Sequence, residues 1–262
     1  MLLDAAQIER FSVWIPPIKV ITAMASVFRE PPQAPDHFNV TPHLAEISDP
    51  EKFWQLAYRL AQCSASHGAM TWLVSPLPLA ELTTRLRLRL DARLPDNFDC
   101  INRYYDGRVL PHLHACLTDA QRDAFFSLAE QWWFVSPAFE WQSLPCRWRE
   151  ADSFTAPLEL DAKQEAHLID ACYPYAVIEH FERSDPELLD SLPPLQRYGF
   201  MREALRAAAN FGIEDSEAIL FCTLAMTRGA DFYKEAAWAN GLKSVQQGKA
   251  TLSDVLKAQH AE

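Results

Sequence analysis

Short apolar runs separated by turn residues dominate the first 150 residues, a pattern typical of strands mixed with helices. Met1–Ala6 predicts an opening strand, Leu44–Ile47 a short strand and Ala69–Val74 a buried strand. Gln131–Val135 predicts another strand, with a hairpin partner that begins at Glu140-Trp141. Because successive side chains of a strand point to opposite faces, Trp132 and Trp133 are expected to divide between the core and a surface platform.

Helical spacing fills the segments between these strands. Asp49-Pro50 predicts the start of a helix that continues to about Ser64, and leucines recur at helical spacing over Leu79–Leu90. A further helical stretch runs from Arg108 to Ser127, and Thr118-Asp119 in its middle predicts a second N-cap and therefore two short helices.

From Leu160 onward the pattern is helical to the end, after a segment, Ala151–Pro157, whose composition is that of a linker. The predicted helices cover residues 161–184, 195–211, 214–229, 231–240 and 251–260. The sequence therefore predicts an α+β fold. Residues 1–150 form an α/β lobe with a small mixed sheet flanked by helices, and residues 151–262 form an all-helical lobe.

One stretch concentrates charge and aromatic side chains, and we call it the central motif: Asn102–Pro111. Its start continues a predicted strand, Cys100–Tyr105, and Asp106-Gly107 ends that strand. Asp106 is expected to cap a helix that begins near Arg108. Buried guanidinium and carboxylate groups must pair, so Arg103 or Arg108 is expected to reach Asp106 or a helix end. Two interpretations stay open: a structural ion pair, or the polar floor of a partner-binding cleft.

Charge narrows the possible partners. The formal net charge is −11, and residues 151–262 carry most of the acidic excess, which argues against general nucleic-acid binding. A basic stripe stands out against this background: Arg85, Arg89 and Arg93 lie four residues apart and are expected on one helix face. The stripe is interpreted either as a solvated face or as a docking surface for an acidic partner or for the chain's own acidic second part.

Catalytic signatures are missing from the sequence. It has no phosphate-binding glycine loop, no nucleophile elbow and no zinc-protease motif. His112 and His114 are two residues apart and would point away from each other on a helix, so we expect no metal site. The sequence indicates a binding protein without cofactor or catalytic residues; an unrecognised hydrolase that uses these histidines is the alternative.

Cysteine usage and hydropathy bear on the compartment. No signal peptide and no bilayer-spanning apolar run is evident, so no membrane insertion is expected. The six cysteines are interpreted as reduced thiols among apolar neighbours in a cytoplasmic protein. They are Cys63, Cys100, Cys116, Cys146, Cys172 and Cys222.

Several segments, in order, resemble the adaptor chaperones of type VI secretion systems, a family first described as a domain of unknown function. Arg103–Leu110 matches the family pattern RfyDprvL, with Gly107 where proline is common. Trp72–Pro76 and the following leucine helix are similar to the element SP.sl.eL..hLr, and Thr41–Leu44 resembles the APYLV segment. The opening strand and the helical C-terminal part also fit.

The resemblance implies a cytoplasmic, non-enzymatic adaptor that binds and stabilises a cognate toxic effector and loads it onto the VgrG spike. It is expected to be monomeric when free; a structural secretion component is a further alternative. The expected partner-binding residues are the four side chains of the motif, two tryptophans and two arginines of the stripe: Arg103, Tyr105, Asp106, Arg108, Trp132, Trp133, Arg85 and Arg89.

Overall fold

A computed structural model describes residues 1–8, 10–14, 21–28, 37–47, 49 and 67–259. The helix predicted to begin at Pro50 and the residue Cys63 lie outside these residues. The described chain confirms an α+β fold, with sheets in its N-terminal region and helices in its C-terminal part.

Two sheets are present among the described residues, where the sequence predicted one small mixed sheet. The larger has the strand order β2-β3-β1-β4-β7-β8 and is antiparallel throughout. The smaller has the order β6-β5-β9 and is mixed, because β5 pairs antiparallel with β6 and parallel with β9. The strands are β1 Leu2–Asp4, β2 Ile21–Ser26, β3 Pro42–Ile47, β4 Met70–Val74, β5 Asp91–Arg93, β6 Asp99–Ile101, β7 Gln131–Val135, β8 Trp141–Pro145 and β9 Leu158–Glu159.

Most helices lie close to the predicted ranges, but the helix predicted at 231–240 is observed at Ala236–Gln246, and Pro186–Asp190 forms an additional short helix. The helical stretch after the central motif is divided in two as predicted, because Thr118 and Gln121 form a reciprocal capping box at the start of the second helix. The helices are α1 Phe11–Trp14, α2 Leu79–Leu88, α3 Leu110–Cys116, α4 Asp119–Phe125, α5 Ala162–Ser184, α6 Pro186–Asp190, α7 Pro194–Ala209, α8 Asp215–Arg228, α9 Ala236–Gln246 and α10 Leu252–Gln259.

The chain forms two compact units, Met1–Ile169 and Asp170–Glu262, so the division falls within α5. The sequence placed the boundary after Glu150. Residues 151–169, which it assigned to the helical lobe, lie in the first unit. This segment supplies β9, which pairs with β5, and Leu158 is buried in the core of that unit.

Strand alternation in the first unit separates two apolar clusters on opposite faces of the larger sheet. Leu2 and Leu44 enter the main core, whereas their neighbours Leu3 and Ala45 enter a second, smaller cluster. The main core also contains the aromatic residues Tyr104, Phe125, Phe126 and Trp132. The end of β6, α2 and α3 therefore all pack on one face of this sheet.

The second unit has its own core, formed by aromatic residues and the alanine-rich face of α7. Glu217 on α8 joins two of its helices: its carboxylate accepts the backbone N–H groups of Leu252 at 2.8 Å and Ser253 at 3.1 Å. A carboxylate at a helix N-terminus satisfies donors that have no partner within the helix. Glu217 therefore fixes the start of α10 to α8.

No helix in the described part of the chain combines the length and apolar character needed to cross a bilayer.

Candidate functional site

The central motif folds as a turn between β6 and α3. The predicted strand is shorter than expected: it ends at Ile101, because Asp106 N–H bonds back to the Arg103 carbonyl at 2.9 Å and closes a turn. The helix begins at Leu110, two residues later than predicted, and its assigned N-cap, Val109, makes no side-chain cap bond. Asp106 still accepts backbone N–H groups ahead of the helix: its carboxylate accepts that of Arg108 at 2.9 Å and its carbonyl accepts that of Leu110 at 3.0 Å.

Asp106 is the centre of a buried ion-pair network. Its side chain is 1% exposed, and Arg108 is only 8% exposed. The Asp106 carboxylate accepts three hydrogen bonds from Arg108: from the backbone N–H at 2.9 Å, from Nε at 3.0 Å and from Nη2 at 2.8 Å. Such charge-assisted, forked bonds are stronger than neutral ones and fix the orientation of both groups. The prediction that an arginine of the motif reaches Asp106 is confirmed.

Arg103 joins this network to the first strand. Its Nη2 lies 3.2 Å from Asp106 Oδ2 and also 3.2 Å from Oδ2 of Asp4, the last residue of β1. Asp4 is buried and accepts a further hydrogen bond of 2.7 Å from Gln7 Nε2. The Arg103 side chain is 48% exposed, so one guanidinium both bridges two buried carboxylates and reaches the surface.

Two glycines allow the motif to approach the segment before β4. Gly107 N–H donates to the Gly68 carbonyl at 2.8 Å. A Cβ on Gly68 would lie 2.5 Å from both Arg108 Cγ and Asp106 Oδ1, which is closer than atoms can pack. Proline at position 107 has no N–H and could not make this bond. Gly107 therefore makes a contact with Gly68 that a proline at this position could not make.

The two tyrosines of the motif are core residues. Tyr104 is fully buried and donates its hydroxyl to the Leu86 carbonyl at 2.7 Å. Tyr105 is 5% exposed, and burial together with the charge of Asp4 raises its pKa to about 12. Its ring centroid lies 6.0 Å from the Arg103 guanidinium carbon. The Tyr105 ring therefore lies within cation–π distance of the Arg103 guanidinium.

The predicted basic stripe is not a helix face. Arg93 lies in β5, after α2 has ended, and pairs with Asp99 at 2.7 Å. Arg89 is completely buried, and its Nη2 and Nη1 bond both oxygens of Asp152 at 2.8 and 2.9 Å. Helical periodicity could not reveal this arrangement, since the partner lies in the presumed linker.

The rest of the Arg89 guanidinium is also satisfied. Nε donates to the Phe125 carbonyl at 2.7 Å, and Nη1 and Nη2 donate to the Arg85 and Ala124 carbonyls. Arg85 itself is 11% exposed and donates to the backbone carbonyls of Arg149 and Glu150. Both arginines therefore fix residues 149–152 against α2 and α4.

The two adjacent tryptophans divide as their strand alternation predicts. Trp132 is completely buried and donates Nε1–H to Thr71 Oγ1 at 3.0 Å. Trp133 is half-buried on the other face and donates to Gln131 Oε1 at 3.0 Å. Trp133 therefore retains surface for a partner, whereas Trp132 is a core residue.

The histidines of the HxH pair both lie in α3. His114 is half-buried, and its Nε2 lies 3.3 Å from the Pro145 carbonyl; burial lowers its pKa. The His112 ring lies 6.4 Å from that of His167. In the described part of the chain no three histidine, cysteine, aspartate or glutamate side chains are grouped so that they could hold a metal ion.

The five cysteines in the described part of the chain are free thiols. Cys222 is buried, and burial raises its pKa to about 12; the other four are partly buried. Burial also raises the pKa of Cys146 to about 12. A thiol with so high a pKa carries almost no thiolate at neutral pH and is a poor nucleophile.

The partners that sequence reasoning missed are Asp4, Gln7, Gly68 and Asp152. Asp4 lies 99 residues from Arg103 along the chain, and Asp152 lies 63 residues from Arg89. The only sequence signal available for Asp152 was a lone acidic residue in the presumed linker.

Comparison with known proteins gives one match. The family model described as Domain of unknown function (DUF4123) matches residues 1–124, a little less than half of the chain. No curated protein and no solved structure matches the chain. The matched residues include all of the central motif together with β1, which supplies Asp4. This chain is therefore similar to that family through the part that builds the ion-pair network.

Proposed function

We propose that this protein is a type VI secretion adaptor chaperone. It binds and stabilises a cognate toxic effector in the cytoplasm and loads it onto the VgrG spike, without catalysing a reaction. The observation that carries the proposal is the match of residues 1–124 to a family linked to type VI secretion effector adaptors. The central motif of this chain lies within that match.

The geometry of the motif supports a binding role more than a catalytic one. Asp106 accepts hydrogen bonds from Arg108 and Arg103, and Asp4 accepts hydrogen bonds from Arg103 and Gln7, so both buried carboxylates are already engaged within the fold. A network of this kind gives a rigid base for a binding surface, because its groups cannot turn without losing several charge-assisted bonds. In this proposal, the buried groups of the motif hold the surface, and the exposed part of Arg103 together with side chains outside the motif contacts the effector.

Among the predicted binding residues, Arg103 and Trp133 are the proposed contacts. Arg103 keeps about half of its side chain exposed above the buried network. Trp133 keeps exposed surface on the larger sheet. Arginine and tryptophan are the residue types that most often dominate binding energy at protein interfaces. Arg85, Arg89 and Trp132 then have supporting roles inside the first unit.

Co-expression tests this proposal. The protein is tagged and expressed with the product of the adjacent downstream gene, with and without the neighbouring VgrG protein. The expected result is a stable complex that raises the soluble yield of the partner and that VgrG joins. Failure of a folded, monomeric sample to bind either product would refute the adaptor function.

The contact residues are tested by Arg103→Ala and Trp133→Ala in the same assay. Arg149→Ala is the matched control, because the Arg149 side chain is 46% exposed and that of Arg103 is 48% exposed. We expect R103A to lower the recovered partner by roughly tenfold, the effect of losing one strong interface residue, and R149A to leave it unchanged. Equal recovery with both variants would exclude Arg103 as a contact.

A further inference from the structure

The edge of the smaller sheet formed by β6 has the features of a binding site for an added strand. β6 is an edge strand of that sheet. Its flanking hydrogen bonds to β5 run from Asn102 N–H to the Leu90 carbonyl and from Leu94 N–H to the Phe98 carbonyl. In an antiparallel ladder, residue pairs that exchange backbone hydrogen bonds alternate with pairs that do not. The two flanking bonds therefore make Cys100 and Ala92, which are partners in the register, a hydrogen-bonded pair.

The backbone groups of Asp99 and Ile101 consequently point away from β5. The β9 side of the sheet agrees with this assignment, because Leu160 N–H donates to the Arg93 carbonyl at 2.9 Å, on the opposite edge of β5. Within the described residues, no hydrogen bond uses the outward N–H or C=O of Asp99 or Ile101. Two residues therefore present two donors and two acceptors in the spacing of an unpaired strand.

In contrast to β6, the β8 edge of the larger sheet is protected against strand addition. β8 ends at Pro145, which has no N–H, and His114 Nε2 lies 3.3 Å from the Pro145 carbonyl. Proline and a covering side chain are common means of blocking a sheet edge. β6 contains no proline, and no side chain in the described part of the chain bonds its outward backbone groups.

Large apolar side chains lie beside the open edge. Phe98 and Ile101 are each 60% exposed. With Arg93, Asp99 and the segment Ala156-Pro157 they line an open groove of about 660 Å³ on the outer face of the smaller sheet. Asp99 and Ile101 project onto this face, whereas Ala92 and Cys100 project onto the other. An open edge beside exposed apolar groups is the arrangement that binds an added strand.

The charge of residues 91–101 indicates which kind of segment binds the β6 edge. Residues 91–101 contain three aspartates against one arginine, and that arginine, Arg93, is already paired with Asp99. A second copy of this chain would bring the same acidic hairpin against itself and a formal charge of −11. A basic segment would instead place opposite charge across from Asp99.

We propose that β6 binds an extended segment of the effector as a fourth strand of the smaller sheet. On the face shared with the groove, that segment places an apolar residue across from Ile101 and a lysine or arginine across from Asp99. This inference rests on the proposed function, since it names the part of the adaptor that holds its client. Backbone hydrogen bonds supply binding, and the two side chains supply selectivity.

A peptide assay tests the edge directly. The probe is a fluorescent peptide of about nine residues, with threonine alternating with valine and lysine (TVTKTVTKT), followed by anisotropy. Ile101→Pro removes an outward backbone N–H together with the exposed Ile101 side chain, and it leaves in place the backbone groups of Cys100 and Asn102 that face β5. Ser143→Pro is the matched control, since Ser143 occupies the equivalent outward position on β8. We expect wild type and S143P to bind, and I101P to bind at least about tenfold more weakly.

The charge requirement has its own control. A peptide with glutamate in place of lysine is expected to bind wild type at least about tenfold more weakly. Wild type that does not bind the lysine peptide, I101P that binds it as wild type does, or equal binding of both peptides would each overturn the proposal. If I101P does not fold, the double variant Phe98→Lys with Ile101→Lys replaces it, because both side chains are exposed and the lysines repel a basic strand.

The co-expression assay separates this inference from the adaptor function. Capture of the downstream gene product by wild type and S143P, with loss in I101P, supports both. Equal capture by wild type and I101P overturns the edge as the client site and leaves the adaptor function standing. If wild type captures nothing, the adaptor function fails, and with it the effector as occupant. A wild-type dimer in light scattering that I101P abolishes would assign the edge to a second copy and overturn the proposal.

Discussion

Arg108→Ala distinguishes a structural role of the central motif from a direct role in binding. The substitution leaves the buried Asp106 carboxylate with the backbone N–H of residue 108 at 2.9 Å and with Arg103 Nη2 at 3.2 Å. It removes the Nε and Nη2 donors at 3.0 and 2.8 Å. The carboxylate, 1% exposed, cannot recover these bonds from water.

The expected loss of stability follows from that count. Removing one partner of a buried ion pair costs about 3–5 kcal/mol, most of which is the desolvation of the charge left behind. Two of the four donors to Asp106 survive, so we expect the lower end, about 3 kcal/mol in the free energy of unfolding. Arg103→Ala removes a half-exposed donor from two buried carboxylates, but Asp106 keeps its bonds from Arg108 and Asp4 keeps its bond from Gln7, so it should cost less than R108A.

Urea denaturation followed by tryptophan fluorescence measures this difference. Only one of the 8 tryptophans, Trp238, lies beyond Ile169, so the signal reports mainly on the first unit. A double variant, Asp106→Ala with Arg108→Ala, completes a double-mutant cycle. If the pair itself matters, the double variant should cost little more than the worse single variant, because neither charge is then left buried alone.

One result would refute the reasoning. If R108A unfolds at the same urea concentration as wild type but no longer captures its partner, the Asp106–Arg108 pair is not a structural lock. Arg108 would then belong to the binding surface despite its 8% exposure.

The remaining predictions concern packing and the second buried pair. Gly68→Ala should destabilise the first unit by about 3 kcal/mol, because the added methyl group would clash with Arg108 and Asp106. Gly199→Ala should stabilise α7 by about 0.5–1 kcal/mol, because its methyl group meets nothing within 4 Å. Both effects are measured as shifts in the urea midpoint. Asp152→Asn should cost about 3 kcal/mol, because Arg89 is completely buried, against less than about 1 kcal/mol for Asp123→Asn, whose partner Arg149 is exposed; equal costs would contradict a buried pair. Burial alone would raise the pKa of Asp152, but the hydrogen bonds and charge of Arg89 lower it below its usual value, so the stability it contributes is full above about pH 4 and is lost as the pH falls through the lowered pKa. The difference between wild type and D152N in thermal midpoint should accordingly shrink below about pH 4, and a constant difference down to pH 2 would contradict this assignment.

Local patterns determined much of the fold. Alternation placed Gln131–Val135 in a strand with its observed bounds and separated Trp132 from Trp133, because side-chain direction in a strand depends on backbone geometry alone. The capping residues at Thr118 divided a long helical stretch correctly, because a capping box involves residues only three positions apart. The motif also carried its own pairing, since Asp106 and Arg108 are two residues apart.

Only the tertiary structure decided which charged groups are buried. Arg85, Arg89 and Arg93 have the spacing of one helix face, yet α2 ends at Leu88. Arg89 is therefore buried against Asp152, and Arg93 lies in β5. The partners Asp4 and Asp152 lie far away along the chain. Periodicity describes the relation of a residue to its near neighbours, whereas burial and pairing depend on which distant segments fold against it. For that reason the sequence could identify the central motif and its resemblance, but not the second carboxylate that Arg103 binds or the open edge of β6.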